Sequence, residues 1–239
     1  MQKSLRKRLL DVATAPYRSA GRSDYYWARG KLSRDPIFTA LLERGLFSDG
    51  ARVLDLGCGR GLLAAWLLAA EKMAAQGDWD APQAPPKALR FRGVELVARE
   101  AHCGNAALQP LYGDRVALSG GDMRSAAMEA IDAVAILDVL HYIPHAEQDQ
   151  LLDRIRAALG PGGLFLTRVG DASGGWRFRI SQWVDRRMAQ LQGHRYAPTW
   201  CRPLAEWRRT LERRGFTVEA LPMSSGAPFA NVMLICRVK

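Results

Sequence analysis

The sequence predicts an α/β fold in which a mostly parallel sheet carries helices on both faces. Apolar runs of strand length alternate with segments of helical periodicity from about residue 50 to residue 170. A glycine-rich turn at residues 57–61 joins the first of these strands to a helix. The 239 residues, 48% of them hydrophobic and 24% charged, suffice for one domain with a full core.

The N-terminal region predicts helices that precede the sheet. Residues 1–15 form a basic amphipathic pattern with Leu5, Leu9 and Val12 at helical spacing, and Pro16 ends it. An aromatic and cationic stretch follows at residues 25–32, and a further helix is expected over about 36–44. Packing on one face of the sheet is one role that these helices can take.

The first strand and its turn form the most informative segment. Val53, Leu54 and Leu56 predict a buried strand, and glycines follow at positions 57, 59 and 61. Glycine allows positive φ and a close approach of the backbone to a ligand. The next segment, residues 62–75, predicts a helix whose free N–H groups point at that ligand. A strand, glycine turn and helix in this order predict a nucleotide or nucleoside site.

The remaining predicted elements continue the alternation of strands and helices as far as residue 169, where this alternation ends. The predicted order is a surface loop at 76–87, strand 89–96, helix 98–108, strand 115–118, strand 131–137, helix 146–159 and strand 164–169. Residues 170–215 then insert about two helices that are rich in tryptophan and hold ten arginines. Two final strands are expected at 216–221 and 231–238.

Acidic residues follow four successive predicted strands: Asp55, Glu95, Asp122 and Asp138. Carboxylates seldom occupy such positions without partners, and ligands of open α/β sheets bind at the carboxyl ends of the strands. Glu95 is suited to accept hydrogen bonds from both hydroxyls of a ribose. We therefore expect these four residues to mark a ligand site.

The string V-L-D-L-G-C-G-R-G at residues 53–61 decides between nucleotide classes. It differs from the dinucleotide pattern G-x-G-x-x-G, and the chain lacks a P-loop. It closely resembles motif I of the class I S-adenosylmethionine-dependent methyltransferases, and the resemblance extends over about residues 50–170. The segment L-D-V-L-H-Y-I at residues 137–143 is similar to that of small-molecule members, and the tail from Trp176 is loosely similar to methyltransferases of bacterial aryl polyene and pigment pathways.

The resemblance implies a Rossmann-like seven-stranded sheet closed by a C-terminal hairpin, with an N-terminal helical lid and a helical insertion after strand five. It implies S-adenosyl-L-methionine as cofactor and S-adenosyl-L-homocysteine as product. It assigns the ribose to Glu95, the adenine to Asp122 and Met123, and the amino-acid end of the cofactor to Asp138 or its neighbouring backbone. The full set of expected cofactor contacts is Asp55, Gly57, Cys58, Gly59, Gly61, Glu95, Leu96, Asp122, Met123, Asp138 and Arg29.

Methyl transfer needs alignment of the acceptor, and a base only where the acceptor carries a proton at neutral pH. His141, after the fourth strand, is the candidate catalytic base, with a helix-capping or pocket-wall role as the alternative. Expected substrate contacts are Tyr26, Tyr142, Trp176 and His194. No metal site is predicted, because the acidic and cysteine residues show no ligand spacing.

The predicted domain spans residues 1–239, divided into a lid (1–48), a cofactor core (50–170), an insertion (171–215) and a strand pair (216–239). The net charge of +10 is split unevenly: residues 1–34 carry +7, residues 35–170 carry −4 and residues 171–239 carry +7. Basic flanks suit an anionic small molecule, a substrate on an acidic acyl carrier protein, or contact of the N-terminus with a membrane surface. High solubility is the alternative meaning of the charge.

Four scattered cysteines and the lack of a secretory signal predict a cytoplasmic protein. Nucleic acid is disfavoured as the acceptor, because the motif of base-amine methylation is absent after strand four. Methylation of RNA and a catalytically silent, cofactor-binding regulatory protein are the alternative functions. A nicotinamide-dependent reductase is a weaker rival.

Overall fold

A computed structural model describes residues 1–172, 199–223 and 231–239. Its helices are α1 (Lys3–Thr14), α2 (Arg22–Arg34), α3 (Pro36–Glu43), α4 (Leu62–Ala75), α5 (Ala98–Tyr112), α6 (His145–Ala158) and α7 (Leu204–Glu212). Its strands are β1 (Arg52–Leu56), β2 (Arg90–Glu95), β3 (Val116–Gly120), β4 (Ala133–Leu137), β5 (Leu164–Gly170), β6 (Phe216–Pro222) and β7 (Asn231–Val238).

The strands form one seven-stranded sheet in the order β3-β2-β1-β4-β5-β7-β6. β1 pairs in parallel with β2, and β2 with β3, whereas β7 runs antiparallel to both β5 and β6. The predicted α/β fold with a mostly parallel sheet and a C-terminal strand pair is therefore confirmed. No helix among the described residues is long and apolar enough to cross a membrane.

The described chain falls into two compact units, Met1–Val134 and Ala135–Lys239. In the first unit, α4 is buried almost all around, since its residues from Leu62 to Ala70 are apolar on every face. α1 buries Leu5, Leu9 and Ala13 at helical spacing, as its amphipathic pattern predicts. The Trp66 indole on α4 donates a 2.8 Å hydrogen bond to the Phe38 carbonyl, which ties α3 to α4.

In the second unit, β7 lies between β5 and β6 and is buried along most of its length. Phe165 of β5 and Phe216 of β6 pack with ring centroids 6.1 Å apart. α7 packs on β6 through its buried face, which includes Trp207 and Leu211. Of the two helices predicted in the insertion, α7 is described, and residues 173–198 lie outside the described part of the chain.

Candidate cofactor and active site

The glycine turn after β1 has the left-handed backbone that its sequence predicts. Gly57, Gly59 and Gly61 have φ angles of 78°, 53° and 74°. At Gly61 a Cβ would lie 2.9 Å from the Leu118 side chain, so packing also requires glycine there. At Gly59 a Cβ would meet no atom within 4 Å. The turn therefore leaves open space over Gly59, as a cradle for a closely bound ligand does.

Glu95 at the end of β2 is fixed beside this turn by two backbone amides. The Gly59 amide donates to one carboxylate oxygen at 2.9 Å, and the Val97 amide donates to the other at 3.0 Å. A carboxylate oxygen has room for more than one donor, so Glu95 keeps capacity to accept hydrogen bonds from ribose hydroxyls. The next residue, Leu96, an expected cofactor contact, exposes 75% of its surface.

Asp55 is a buried acid in β1, with 5% of its surface exposed. Its carboxyl group makes no hydrogen bond within the described residues. Burial, and then the nearby negative charge of Glu95, raise the pKa of Asp55 to about 7. A buried carboxyl group in this state favours a cationic ligand group, because a positive charge would offset the cost of ionisation.

Two of the expected cofactor residues use their side chains elsewhere. The Cys58 side chain packs on Gly93, where an added Cβ would lie 2.6 Å from the sulfur, so only the backbone of Cys58 is available to a ligand. The Asp122 carboxylate accepts hydrogen bonds from the Arg124 amide at 2.8 Å and from its guanidinium, and this contact lowers the pKa of Asp122. Asp122 also lines a cavity of about 260 Å³, and Met123 begins the 3-10 turn beside it.

Helix α2, which contains the aromatic and cationic stretch, includes two residues that the sequence predicts as ligand contacts. Arg29, an expected cofactor contact, forms an ion pair with Asp11 of α1 at 2.6 Å. Tyr26, an expected substrate contact, is 61% exposed and packs edge-on against Tyr25. The roles assigned to Arg29 and Tyr26 stay predictions. The residue that contacts α2 from the turn is Arg60, which sequence reasoning missed although it lies inside the glycine motif.

In the second unit, Asp138 follows β4 with a φ of 63°, a strained value for a residue other than glycine. Arg168 of β5, 8% exposed, donates to the two Asp138 carboxylate oxygens, from Nε at 2.6 Å and from Nη2. This bidentate pair, in which Arg168 is buried and the Asp138 side chain is 43% exposed, holds the left-handed turn after β4. Asp138 thus offers its backbone more readily than its carboxylate to a ligand.

His141 occupies the 3-10 turn that follows Asp138. Its Nε2 atom is buried and has no hydrogen-bond partner among the described residues. Burial lowers the pKa of His141, and the negative charge of Asp138 opposes this shift in part. The half-exposed Tyr142 packs against the imidazole with ring centroids 4.2 Å apart. The lowered pKa favours the neutral imidazole near pH 7, with Nε2 not engaged by another described residue.

The His141 turn is anchored by a residue that the sequence did not reveal. The fully buried Gln148 side chain donates to the carbonyl groups of Leu140, Ile143 and Trp200, and its own oxygen accepts from Arg202 at 3.0 Å. The Trp200 amide donates to the His141 carbonyl at 2.7 Å. The expected substrate residues Trp176 and His194 lie outside the described residues.

Three comparisons with known proteins bear on this arrangement. A family model described as a methyltransferase domain matches residues 26–221. A carboxy-S-adenosyl-L-methionine synthase of Geobacter metallireducens is 34% identical over 119 residues, which are 49% of this chain and 43% of that protein. The match thus spans less than half the length of this curated relative.

Solved structures show the same fold at low identity. The magnesium protoporphyrin IX methyltransferase of Synechocystis with bound SAH has a TM-score of 0.58 and 16% identity, over 85% of this chain and 80% of that one. A putative methyltransferase of Haloferax volcanii, in complex with its Trm112 activator, has a TM-score of 0.64 and 16% identity, over 89% of this chain and 94% of that one.

The family match covers most of the chain, the glycine turn has a left-handed backbone, and Glu95 lies beside it. The open cradle at Gly59 and the buried Asp55 also fit a nucleoside cofactor that carries positive charge. The chain therefore belongs to the methyltransferase domain family, the class I enzymes whose cofactor is S-adenosyl-L-methionine.

Proposed function

We propose that the chain transfers a methyl group from S-adenosyl-L-methionine to a small molecule. The observation that carries the proposal is the hydrogen bond between the Gly59 amide and Glu95, which joins the glycine cradle to a ribose-binding acid. Glu95 would hold the ribose, Leu96 and Met123 the base, and Asp55 the positively charged end of the cofactor. Bound S-adenosyl-L-methionine supplies a methyl group on a sulfonium centre, which is already activated for transfer.

The chain's own part in an in-line transfer is to orient the acceptor and to remove its proton where it carries one. We propose that His141 Nε2 accepts that proton. Its lowered pKa keeps it unprotonated at neutral pH, and no described side chain competes for the atom. Gln148 and the Asp138–Arg168 pair hold the turn on which His141 lies.

We further propose an anionic acceptor, either free or carried on an acyl carrier protein. The charge of +7 in residues 171–239 supports this proposal, since it lies in the segment that contains the insertion. We also propose that the basic N-terminus contacts a membrane surface and that the protein is cytoplasmic. Lys3 and Lys7 on the exposed side of α1 support the membrane contact.

The test is incubation of the purified protein with radiolabelled S-adenosyl-L-methionine and cell extract, followed by fractionation. Label in organic-extractable or carrier-bound material is the expected result. Label in nucleic acid would contradict a small-molecule acceptor and support RNA methylation. Binding of S-adenosyl-L-homocysteine without label in any fraction would instead identify a silent regulatory protein.

Two controls accompany the extract experiment. Glu95→Ala protein should transfer no label above background, because it lacks the ribose-binding acid. Calorimetry of the unaltered protein should detect S-adenosyl-L-homocysteine and no nicotinamide dinucleotide. The reverse preference would show that the glycine turn serves a reductase.

A further inference from the structure

Arg60 lies inside the glycine turn, and its backbone is held by the N-terminal region. The Tyr17 hydroxyl donates a 2.8 Å hydrogen bond to the Arg60 carbonyl, and Tyr17 is fully buried in the 3-10 turn after α1. On the other side, a Cβ at Gly104 of α5 would lie 2.7 Å from the same carbonyl oxygen. The N-terminal region and α5 therefore both contact the Arg60 carbonyl group.

The Arg60 side chain is held by α2 and α5. Its guanidinium forms ion pairs with Asp24 of α2 and with Glu100 of α5, the latter at 2.5 Å from Nε. It also lies over the Trp27 ring of α2, with 4.5 Å between the guanidinium carbon and the ring centroid. The side chains of Arg60 and Asp24 are each only 15% exposed. Ion pairs shielded from water in this way are screened less by salt than surface pairs.

The glycines on either side of Arg60 connect its side-chain contacts to the proposed cofactor site. Gly59 and Gly61 both have left-handed backbones, and the Gly59 amide is the donor to Glu95. A displacement of Arg60 would rotate the peptides on either side of it. The position of α2 is thereby linked through one side chain to the hydrogen bond that shapes the cradle.

We infer that Arg60 is a positioning residue that couples the docking of α2 to cofactor affinity. The inference rests on the proposed function, and it adds a residue that controls how tightly the site binds the cofactor. Coupling between two equilibria is reciprocal. If docked α2 tightens cofactor binding, bound cofactor must stabilise docked α2 by the same factor. A purely structural contact would not produce this second effect.

The test uses Arg60→Met, Asp24→Asn and Trp27→Leu in the full chain. We expect each variant to bind S-adenosyl-L-homocysteine about tenfold more weakly by calorimetry, a typical coupling factor. In the unaltered protein the same ligand should slow hydrogen exchange in α2, and in Asp24→Asn this protection should be largely lost. Asp80→Asn is the matched control, because it removes an exposed ion pair with Arg8 of α1 and should leave both measurements unchanged.

The outcomes separate this inference from the proposed function. If the unaltered protein fails to bind S-adenosyl-L-homocysteine, the proposed function is wrong. If it binds, and folded Asp24→Asn and Trp27→Leu proteins bind equally well, the coupling is disproved. Weaker binding without ligand-dependent protection of α2 also overturns it. Arg60→Lys keeps the charge but not the planar fork, so it should recover only part of the affinity.

Discussion

The Gly59 amide donates a 2.9 Å hydrogen bond to the Glu95 carboxylate, across 36 positions of sequence. The bond fixes the acid at the end of β2 against the turn at the end of β1. Both carboxylate oxygens accept from backbone amides, so an exchange of one oxygen for an NH₂ group disrupts the arrangement.

We predict that Glu95→Gln weakens S-adenosyl-L-homocysteine binding by at least about tenfold, since a hydrogen bond to a charged group contributes roughly 1.5–3 kcal/mol. Calorimetry measures this change. The control Glu212→Gln alters an exposed glutamate at the end of α7 and should bind normally. Equal affinities would show that Glu95 serves only the loop conformation.

Gly59 and Gly77 offer a matched pair for the cradle. Their φ angles are 53° and 79°, and an added Cβ meets no atom within 4 Å at either site. We expect Gly59→Ala and Gly77→Ala to cost similar stability, about 1 kcal/mol for a left-handed alanine. Only Gly59→Ala should abolish cofactor binding, because its methyl group fills the cradle. Chemical denaturation and calorimetry on both proteins provide the comparison, and normal binding by Gly59→Ala would place the cofactor elsewhere.

Asp55 should make stability fall as pH rises. Its folded pKa of about 7 lies above the ordinary value of 3.8, so the folded state binds this proton more tightly than the unfolded state. The protonated carboxyl group therefore stabilises the folded state by a few kcal/mol below about pH 4, and this stabilisation is lost as pH rises through about 7. Asp55→Asn should flatten the decline between about pH 5 and pH 8 in urea unfolding experiments.

Asp114 provides a control of opposite sign for this prediction. Its hydrogen bond with Arg90 lowers its pKa, so ionised Asp114 stabilises the folded state at pH values above its ordinary pKa. This stabilisation is lost on acidification. Asp114→Asn should therefore leave the decline above about pH 5 intact. An Asp55→Asn profile parallel to that of the unaltered protein would show that Asp55 ionises normally.

His141→Asn should reduce kcat by about 100-fold or more for an acceptor that carries a proton, the usual contribution of a positioned base. Cofactor affinity should change little. Because the pKa of His141 lies below 6.5, the activity of the unaltered protein should fall only in acid below that value, as the imidazole becomes protonated. Steady-state rates against pH measure both effects. His102→Asn, an exposed change on α5, is the control, and an unchanged kcat for His141→Asn would leave His141 a pocket-wall residue.

Local sequence patterns predict the α/β class and most of its elements, and the family resemblance adds the seven-stranded sheet with its C-terminal strand pair. Alternating apolar and helical segments predict the sheet and its order of elements, and positions 57, 59 and 61 predict the left-handed turn. The placement of Glu95 beside that turn also follows from sequence, because the carboxyl ends of neighbouring parallel strands meet at one edge. Element ends agree with the sequence prediction to within four residues: the predicted end of the fifth helix is residue 108, and the helix ends at Tyr112.

Side-chain partners were not predictable in the same way. The Arg60 and Arg168 pairs join residues 30 to 40 positions apart, and no periodicity marks such contacts. Arg29 and Arg60 have the same chemistry, yet Arg29 of α2 pairs with Asp11 of α1, whereas Arg60 of the glycine turn pairs with Asp24 of α2. Asp122 was expected to face the adenine, and Arg124 two positions later occupies its carboxylate. Packing, rather than residue type, decides these choices.

The contacts of Arg60 have a consequence for the divergence of this family. The turn needs no particular side chain between the second and third glycines of the motif, so the motif leaves the identity of this residue free to vary. In this chain it is committed to partners at positions 24, 27 and 100. Replacement of the arginine alone would strand two partly buried carboxylates. We expect these four positions to change together among relatives, so that exchanging the glycine motif between two of them without its N-terminal helices yields a poor hybrid.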